Sequence, residues 1–128
     1  MTMTTHKVVL ALICHPTNPD LFLGVSRKTN KSDFGLAGGK MESKETFRDA
    51  LDREVKEETG MTITSAKPIF KRYNIDKGVR YLVTTFLCEV DTFDFSSEEE
   101  GIVKWVTKDD LQSGSFGNYN KKMFEALS

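Results

Sequence analysis

The sequence predicts an α/β domain in which a mixed β-sheet is covered by α-helices on both sides. Three observations predict it. Residues 8–14 form a continuous apolar run, as in a central strand buried on both faces. Residues 43–59 follow a helical period between segments that read as strands. Tyr119, Met123, Phe124 and Leu127 are spaced for one face of a terminal helix.

The elements follow in order. After the first strand, Pro16-Thr17-Asn18-Pro19-Asp20 is a turn, and residues 21–26 read as the returning strand. A short segment at residues 34–37 leads into Gly38-Gly39. Ser43 is the expected N-cap of the long helix and Gly60 its C-terminal stop. Residues 63–75 and 79–90 are strand candidates joined by Asp76-Lys77-Gly78, a good hairpin turn. An acidic loop at residues 91–100 precedes a last strand at 102–106, where Trp105 is expected in the core. Thr107-Lys108-Asp109-Asp110 resembles a capped helix start, and Asn118 is the expected N-cap of the terminal helix.

Composition bounds the function. The 128 residues are enough for one domain, expected to span 1–128, which buries roughly two thirds of its extended-chain surface. With 38% hydrophobic and 29% charged residues, the chain reads as globular, not disordered. Its 18 basic and 19 acidic residues leave a net charge of -1, which argues against a stable nucleic-acid partner or an anionic membrane surface. The longest apolar run is the seven residues 8–14, far short of a membrane span. The stretch Met1-Thr2-Met3-Thr4-Thr5-His6-Lys7 lacks the features of a secretory signal, so a cytoplasmic location is expected. Cys14 and Cys88 both lie in apolar segments and read as buried, reduced thiols. His6 and His15 have no cysteine at zinc spacing and read as surface or strand-end residues.

The chemistry shows on the long helix. At 100° per residue, Phe47, Ala50, Leu51 and Val55 form an apolar stripe; Glu54 and Glu58 fall on that stripe and Glu57 on its flank. Arg48, Asp49, Asp52 and Lys56 already supply the solvent side. Like charges crowded against the protein are costly, and their pKa values rise, unless a cation sits among them. Oxygen ligands at this density suit Mg²⁺ or Mn²⁺. The angular pattern equally fits a solvated acidic helix end paired with Arg53 and nearby lysines.

The spacing separates the two. Gly39, five residues, Glu45, seven residues and then Arg53-Glu54-Val55-Lys56-Glu57-Glu58-Thr59-Gly60-Met61 matches every position of the Nudix box, Gly-x5-Glu-x7-Arg-Glu-U-x-Glu-Glu-x-Gly-U, with U a bulky aliphatic residue. At average residue usage such a match arises by chance in a chain of this length with a probability on the order of 10⁻⁷. The chain resembles the Nudix hydrolase family, and its strand order resembles the Nudix fold.

That resemblance implies a Mg²⁺-dependent hydrolase, with Mn²⁺ able to substitute, that cleaves a nucleoside diphosphate linked to another moiety. Carried over residue by residue, Glu54, Glu57 and Glu58 are the metal ligands, joined by the backbone carbonyl of Gly39. Arg53 orients the glutamates, Glu45 supports the loop–helix geometry, and Gly38 and Gly39 let the backbone pass close to the metal. Glu54, Glu57 and Glu58 are all candidates for the base. The chain shows none of the extra motifs of the ADP-ribose, NADH or coenzyme A branches, which favours the compact MutT-like branch. That branch hydrolyses nucleoside triphosphates, including oxidised ones such as 8-oxo-dGTP, to the monophosphate and pyrophosphate.

Outside the box the signals are softer. Arg27, at the end of the second strand, and Lys40, after the double glycine, read either as phosphate contacts or as surface charges. Glu100 stands where MutT-like proteins carry a further acidic ligand. Asn120 is the candidate base contact, since an amide offers donor and acceptor together; the alternative places it on the solvent side of the terminal helix. Leu36-Ala37 departs from the Leu-Pro or Phe-Pro pair common before the glycines, which bears on the base pocket. The competing functions are a dinucleoside polyphosphate, ADP-ribose or capped-RNA hydrolase, and a non-catalytic nucleotide sensor; the complete box argues against the sensor. The expected partner is a small nucleotide, bound by a monomer or homodimer.

Overall fold

A computed structural model of the chain describes residues 4–96 and 101–128. In chain order these form β1 (Thr5–Leu12), β2 (Leu21–Ser26), β3 (Phe34–Gly35), β4 (Ala37–Lys40), α1 (Phe47–Thr59), β5 (Ile63–Asp76), β6 (Val79–Val90), β7 (Val103–Thr107), α2 (Lys108–Ser113) and α3 (Gly117–Leu127). The main sheet has the order β4-β1-β6-β5, with β1 parallel to β6 and the other pairs antiparallel. A smaller antiparallel sheet, β3-β2-β7, is tied to it beyond the end of β1, where Leu23 N–H donates to the Ile13 carbonyl at 2.9 Å. Among the described residues no helix is long and apolar enough to cross a membrane.

The apolar run in β1 is continuous because both of its faces are covered. Val9 and Ala11 pack with Ala50, Leu51 and Val55 of α1, while Leu10 and Leu12 face Leu111, Met123 and Phe124 of α2 and α3. Helices therefore flank the mixed sheet on both sides, as the sequence predicts. The β5–β6 hairpin closes through Lys77 and Gly78, both at positive φ (50° and 78°), the backbone that a two-residue turn needs to follow the strand twist.

Several local expectations shift. The long helix begins at Phe47, with Thr46 and not Ser43 as its N-cap. The Thr46 side chain accepts from Asp49 N–H and Asp49 accepts from Thr46 N–H, both at 3.1 Å, so this reciprocal box outcompetes Ser43. Upstream, Lys44 at φ 71° cannot continue a helix. Gly60 does end it, in the left-handed conformation at φ 76°. The last strand runs one residue later than expected. Thr107 caps α2 with Asp110 as its box partner, as expected.

The terminal helix starts after Phe116, so Asn118 lies inside its first turn, exposed, and is not the cap. Gly117 packs where any side chain would run into the Gln112 carbonyl, and this lets α3 cross α2 at that point. Met123 and Phe124 are buried, but Leu127 is exposed in the last turn. Both cysteines are free; Cys88 is buried, whereas Cys14 is exposed because β1 has ended before it. His15 has a role that its position at a strand end did not announce: its Nδ1 accepts the N–H groups of Thr17 and Asn18 at 3.1 and 3.0 Å, shaping the β1–β2 turn. Trp105 is partly buried against the core, with His15, Phe93 and Phe95 around its rings.

Candidate active site

The long helix presents its carboxylates as the angular pattern predicts. Ala50, Leu51 and Val55 are fully buried, Glu54 and Glu58 are partly buried beside them, and Glu57 on the flank is 48% exposed. Phe47, the first residue of the stripe, is half open to solvent. Packing α1 across β4 brings this carboxylate face onto the double glycine.

Both glycines are there for close approach. A Cβ on Gly39 would lie 2.7 Å from the Glu54 carboxyl carbon, so the carboxylate occupies the space that any other residue would need. Gly38 has φ 152°, and a side chain there would run into the Val9 carbonyl oxygen. Its N–H donates to Glu58 Oε1 at 2.8 Å. Two consecutive backbone positions thus lie against two of the three glutamates.

Arg53 organises the other side. Its guanidinium donates to both Glu45 oxygens at 2.8 and 2.9 Å, to Glu54 Oε1 at 2.7 Å and to the Lys40 carbonyl at 3.1 Å. Glu45 also accepts from Glu42 N–H at 2.7 Å. Arg53 and this backbone donor hold the Glu45 carboxyl at a pKa of about 2, and Glu45 in turn pushes Arg53 further up. Glu57 joins this network only as an ion pair, its Oε2 lying 3.8 Å from Arg53, outside hydrogen-bond reach.

A cavity of about 230 Å³ lies in front of the helix, lined by Val25, Ser26, Lys28, Glu54, Glu58 and Gly101. It shares Glu58 and Lys28 with a groove of about 380 Å³ that adds Arg27, Gly38 and Phe116. Phe116 then borders a third pocket, of about 250 Å³, whose walls include Tyr81, Val83 and Tyr119. An acidic end, a cationic middle and an aromatic end therefore adjoin one another.

The residues singled out outside the box fare differently. Arg27 is at the groove, half exposed, donating to Ser115 Oγ at 3.0 Å and lying 3.8 Å from Asp33. Asp33 accepts from both the hydroxyl and the backbone N–H of Ser115, which holds its carboxyl below the usual range. Lys40 is turned away from the carboxylates: strand alternation puts it on the opposite face from Gly39, with its Nζ 5.6 Å from the Tyr81 ring centre. Asn120 matches neither of its expected settings. It is 1% exposed, and its amide nitrogen donates to the Leu111 carbonyl at 2.9 Å, so it joins α3 to α2 and offers no edge to a base or to solvent. Glu100 lies outside the described residues. Ser26 and Phe116 in the groove carry no signal in the sequence pattern, and Lys28 stands out there only as part of a basic patch with Arg27 and Lys31. Residues 74, 76, 81 and 83 line the third pocket, and their period-2 spacing on the hairpin was the available signal.

Three carboxylates within about one helical turn, two of them lining a cavity whose described residues include no His or Cys, are the donor chemistry of a hard divalent cation. Among the described residues no three His, Cys, Asp or Glu side chains already converge on one point. Glu54 and Glu58 are instead held by Arg53 and the Gly38 N–H, and both Glu57 and Glu58 are helix-surface neighbours of Glu54, at i+3 and i+4.

Comparison with known proteins agrees with this architecture. A family profile described as the NUDIX domain matches residues 4–127. The fold is similar to that of a MutT NUDIX hydrolase from Burkholderia pseudomallei, with TM-score 0.79 and 21% identity over 98% of this chain and 99% of that one. It is similar to the MutT protein from Methanosarcina mazei Go1, with TM-score 0.79 and 20% identity over 100% and 99% of the two chains. The E. coli ORF135 protein is also similar, with TM-score 0.76 and 22% identity over 98% and 89%. No curated protein matches this sequence. With the box complete and its profile spanning nearly all of the sequence, the chain belongs to the Nudix family, whose hydrolases act on phosphorus-containing acid anhydrides and generally use a divalent metal.

Proposed function

We propose that this protein is a Mg²⁺-dependent nucleoside triphosphate diphosphatase that releases the monophosphate and pyrophosphate. One observation carries the reading: the acidic, cationic and aromatic stretches adjoin in the order in which a nucleotide presents its phosphates and its base. Similarity to two MutT proteins supports it.

Glu54, Glu57 and Glu58, with the Gly39 carbonyl, would hold the cation. When bound, it supplies charge neutralisation at the pyrophosphate oxygens. Arg27 and Lys28 line the groove and offer positive charge to the phosphate chain. Arg53 fixes Glu54, and Glu45 fixes Arg53. We assign the base to the Glu57 oxygen not given to the cation, because Glu57 makes only a 3.8 Å ion pair with Arg53, whereas Arg53 and Gly38 hydrogen-bond oxygens of Glu54 and Glu58. A water oxygen forms the new bond to phosphorus, its proton passes to a Glu57 oxygen, and the anhydride bond breaks to release pyrophosphate. Tyr81, Phe116 and Tyr119 supply the aromatic surface for the base. The free cysteines fit a reducing compartment such as the cytoplasm.

The test is a product assay with Mg²⁺ on deoxynucleoside triphosphates, ADP-ribose and a dinucleoside polyphosphate. Monophosphate plus pyrophosphate, abolished by chelator and restored by Mg²⁺, is expected; diphosphate plus phosphate, or turnover of ADP-ribose alone, overturns the reading. Glu57→Gln should lower kcat by about 10² or more under saturating Mg²⁺. Near-wild-type turnover in that variant removes Glu57 from the chemistry.

A further inference from the structure

The third pocket has a polar wall that the proposed hydrolysis leaves unused. Asn74 pairs with Tyr81 across the β5–β6 hairpin, and Asp76 pairs with Val79. Alternation puts Asn74 and Asp76 on the same sheet face as Tyr81 and Val83, and both line the pocket. The rest of the lining is aliphatic (Val8, Leu10, Val83) and aromatic (Tyr81, Phe116, Tyr119). Tyr119, the obvious hydroxyl, already shares a hydrogen bond with Thr85 at 2.8 Å. Neither Asn74 nor Asp76 makes a side-chain hydrogen bond or ion pair with another described residue. Asn120, the residue expected to read the base, is buried elsewhere.

A carboxylate offers acceptors only, and an amide offers one acceptor and two donors. The pair is therefore complementary to an edge with two adjacent N–H donors beside a carbonyl. Among nucleobases that edge belongs to a 2-amino-6-oxopurine, where N1–H and the 2-amino group lie side by side next to O6. Adenine and cytosine instead present a ring-nitrogen lone pair, which opposes a carboxylate. The placement fits as well: three strand spacings, about 14 Å, separate β4, where Gly38 and Gly39 meet the glutamates, from β5. Asn74, Asp76 and Tyr81 share the face of Leu10 and Lys40, opposite Gly39 and α1, so the nucleotide must pass over the edge strand β4, along the groove lined by Gly38, Glu58 and Phe116, to bring its base to the hairpin.

We propose that Asp76 and Asn74 are the specificity-determining residues of this enzyme, selecting a guanine-type base by accepting N1–H and the 2-amino group at Asp76 and donating to O6 from Asn74. This rests on the reading of the protein as a nucleotide hydrolase, since only that reading makes the pocket a base site. It assigns recognition to the hairpin and not to the terminal helix.

The test compares guanine with hypoxanthine, which lacks only the 2-amino group. Calorimetric binding of dGMP and dIMP, and kcat/KM for dGTP and dITP, are measured for wild type, Asp76→Asn and Asn74→Ala. Both side chains are exposed, so the variants should melt with the wild type. Wild type should favour the guanine partner about tenfold or more, and Asp76→Asn should bring the ratio to within about threefold of unity. Asn74→Ala should weaken guanine and hypoxanthine alike, because both carry O6. A wild type that treats the two bases equally, in binding and in kcat/KM, overturns the proposal, as does an Asp76→Asn variant that keeps the wild-type ratio. If triphosphates are hydrolysed as proposed but the ratio ignores Asp76, only this assignment fails. If no triphosphate is cleaved while Asp76 still controls dGMP against dIMP binding, the hydrolase reading fails and the base site stands.

Discussion

Replacing Gly39 with alanine separates the placement of a ligand from the stability of the fold. The new Cβ would stand 2.7 Å from Glu54 Cδ and Oε1 and 2.8 Å from Oε2, whereas ordinary contact begins at 3.4 Å, so the carboxylate must retreat by about 0.7 Å. The atoms displaced are the far end of a flexible side chain, where Arg53 can follow the carboxylate, and Gly39 is not in the left-handed region. Folding stability should therefore change by less than about 1 kcal/mol. Catalysis has no such slack: misplacing a catalytic group by about 1 Å costs about 10²-fold in rate. Gly39→Ala should thus lose about two orders of magnitude in kcat with Tm nearly unchanged. Gly38→Ala is the control, since φ 152° and the Val9 carbonyl both reject a side chain there. It should destabilise the protein by about 2 kcal/mol or more. Steady-state kinetics at saturating Mg²⁺, paired with thermal melts, read both quantities. A Gly39→Ala enzyme within about threefold of wild-type kcat would refute the contact between Glu54 and the glycine as a positioning device.

Two further predictions follow from the hydrogen-bond networks. Glu45 has its folded-state pKa depressed to about 2 from 4.5, so the folded protein binds fewer protons there; its pairing with Arg53 contributes stability above pH 4.5 that is lost as pH falls toward 2. Denaturant melts of wild type and Glu45→Gln should therefore converge over that window, and a constant gap would count against the pairing as its cause. Asn120→Ala removes a buried donor and strands the Leu111 carbonyl, which should cost about 1–3 kcal/mol in a chemical melt while leaving the order of preferred nucleotides unchanged. A shifted preference with intact stability would return Asn120 to the base site.

The sequence by itself determines the elements whose signals are local. The apolar run of β1, the hairpin turn at Lys77-Gly78 and the stop at Gly60 depend on a few neighbouring residues; the turn and the stop stand where the pattern predicts. The strand β1 runs from Thr5 to Leu12 and not over residues 8–14, since strand pairing and not apolarity sets its ends. The face of α1 is equally legible, because a helix fixes the angle between Val55 and Glu54 whatever packs against it. The box spacing was sufficient to reach the family for the same reason: it is a pattern along one strand, one loop and one helix. Where two local signals compete, the outcome is less legible, as at Ser43 and Thr46, which differ only in the reciprocal bond that Asp49 supplies. Tertiary structure decided whatever depends on a distant partner. It set Lys40 beside Tyr81, forty-one residues away in the chain, and turned Arg27 to Ser115. It also buried Asn120 against Leu111 and left Cys14 exposed past the end of its strand. Periodicity tells which way a side chain points from its own element, but which element meets it is set by packing across the whole core.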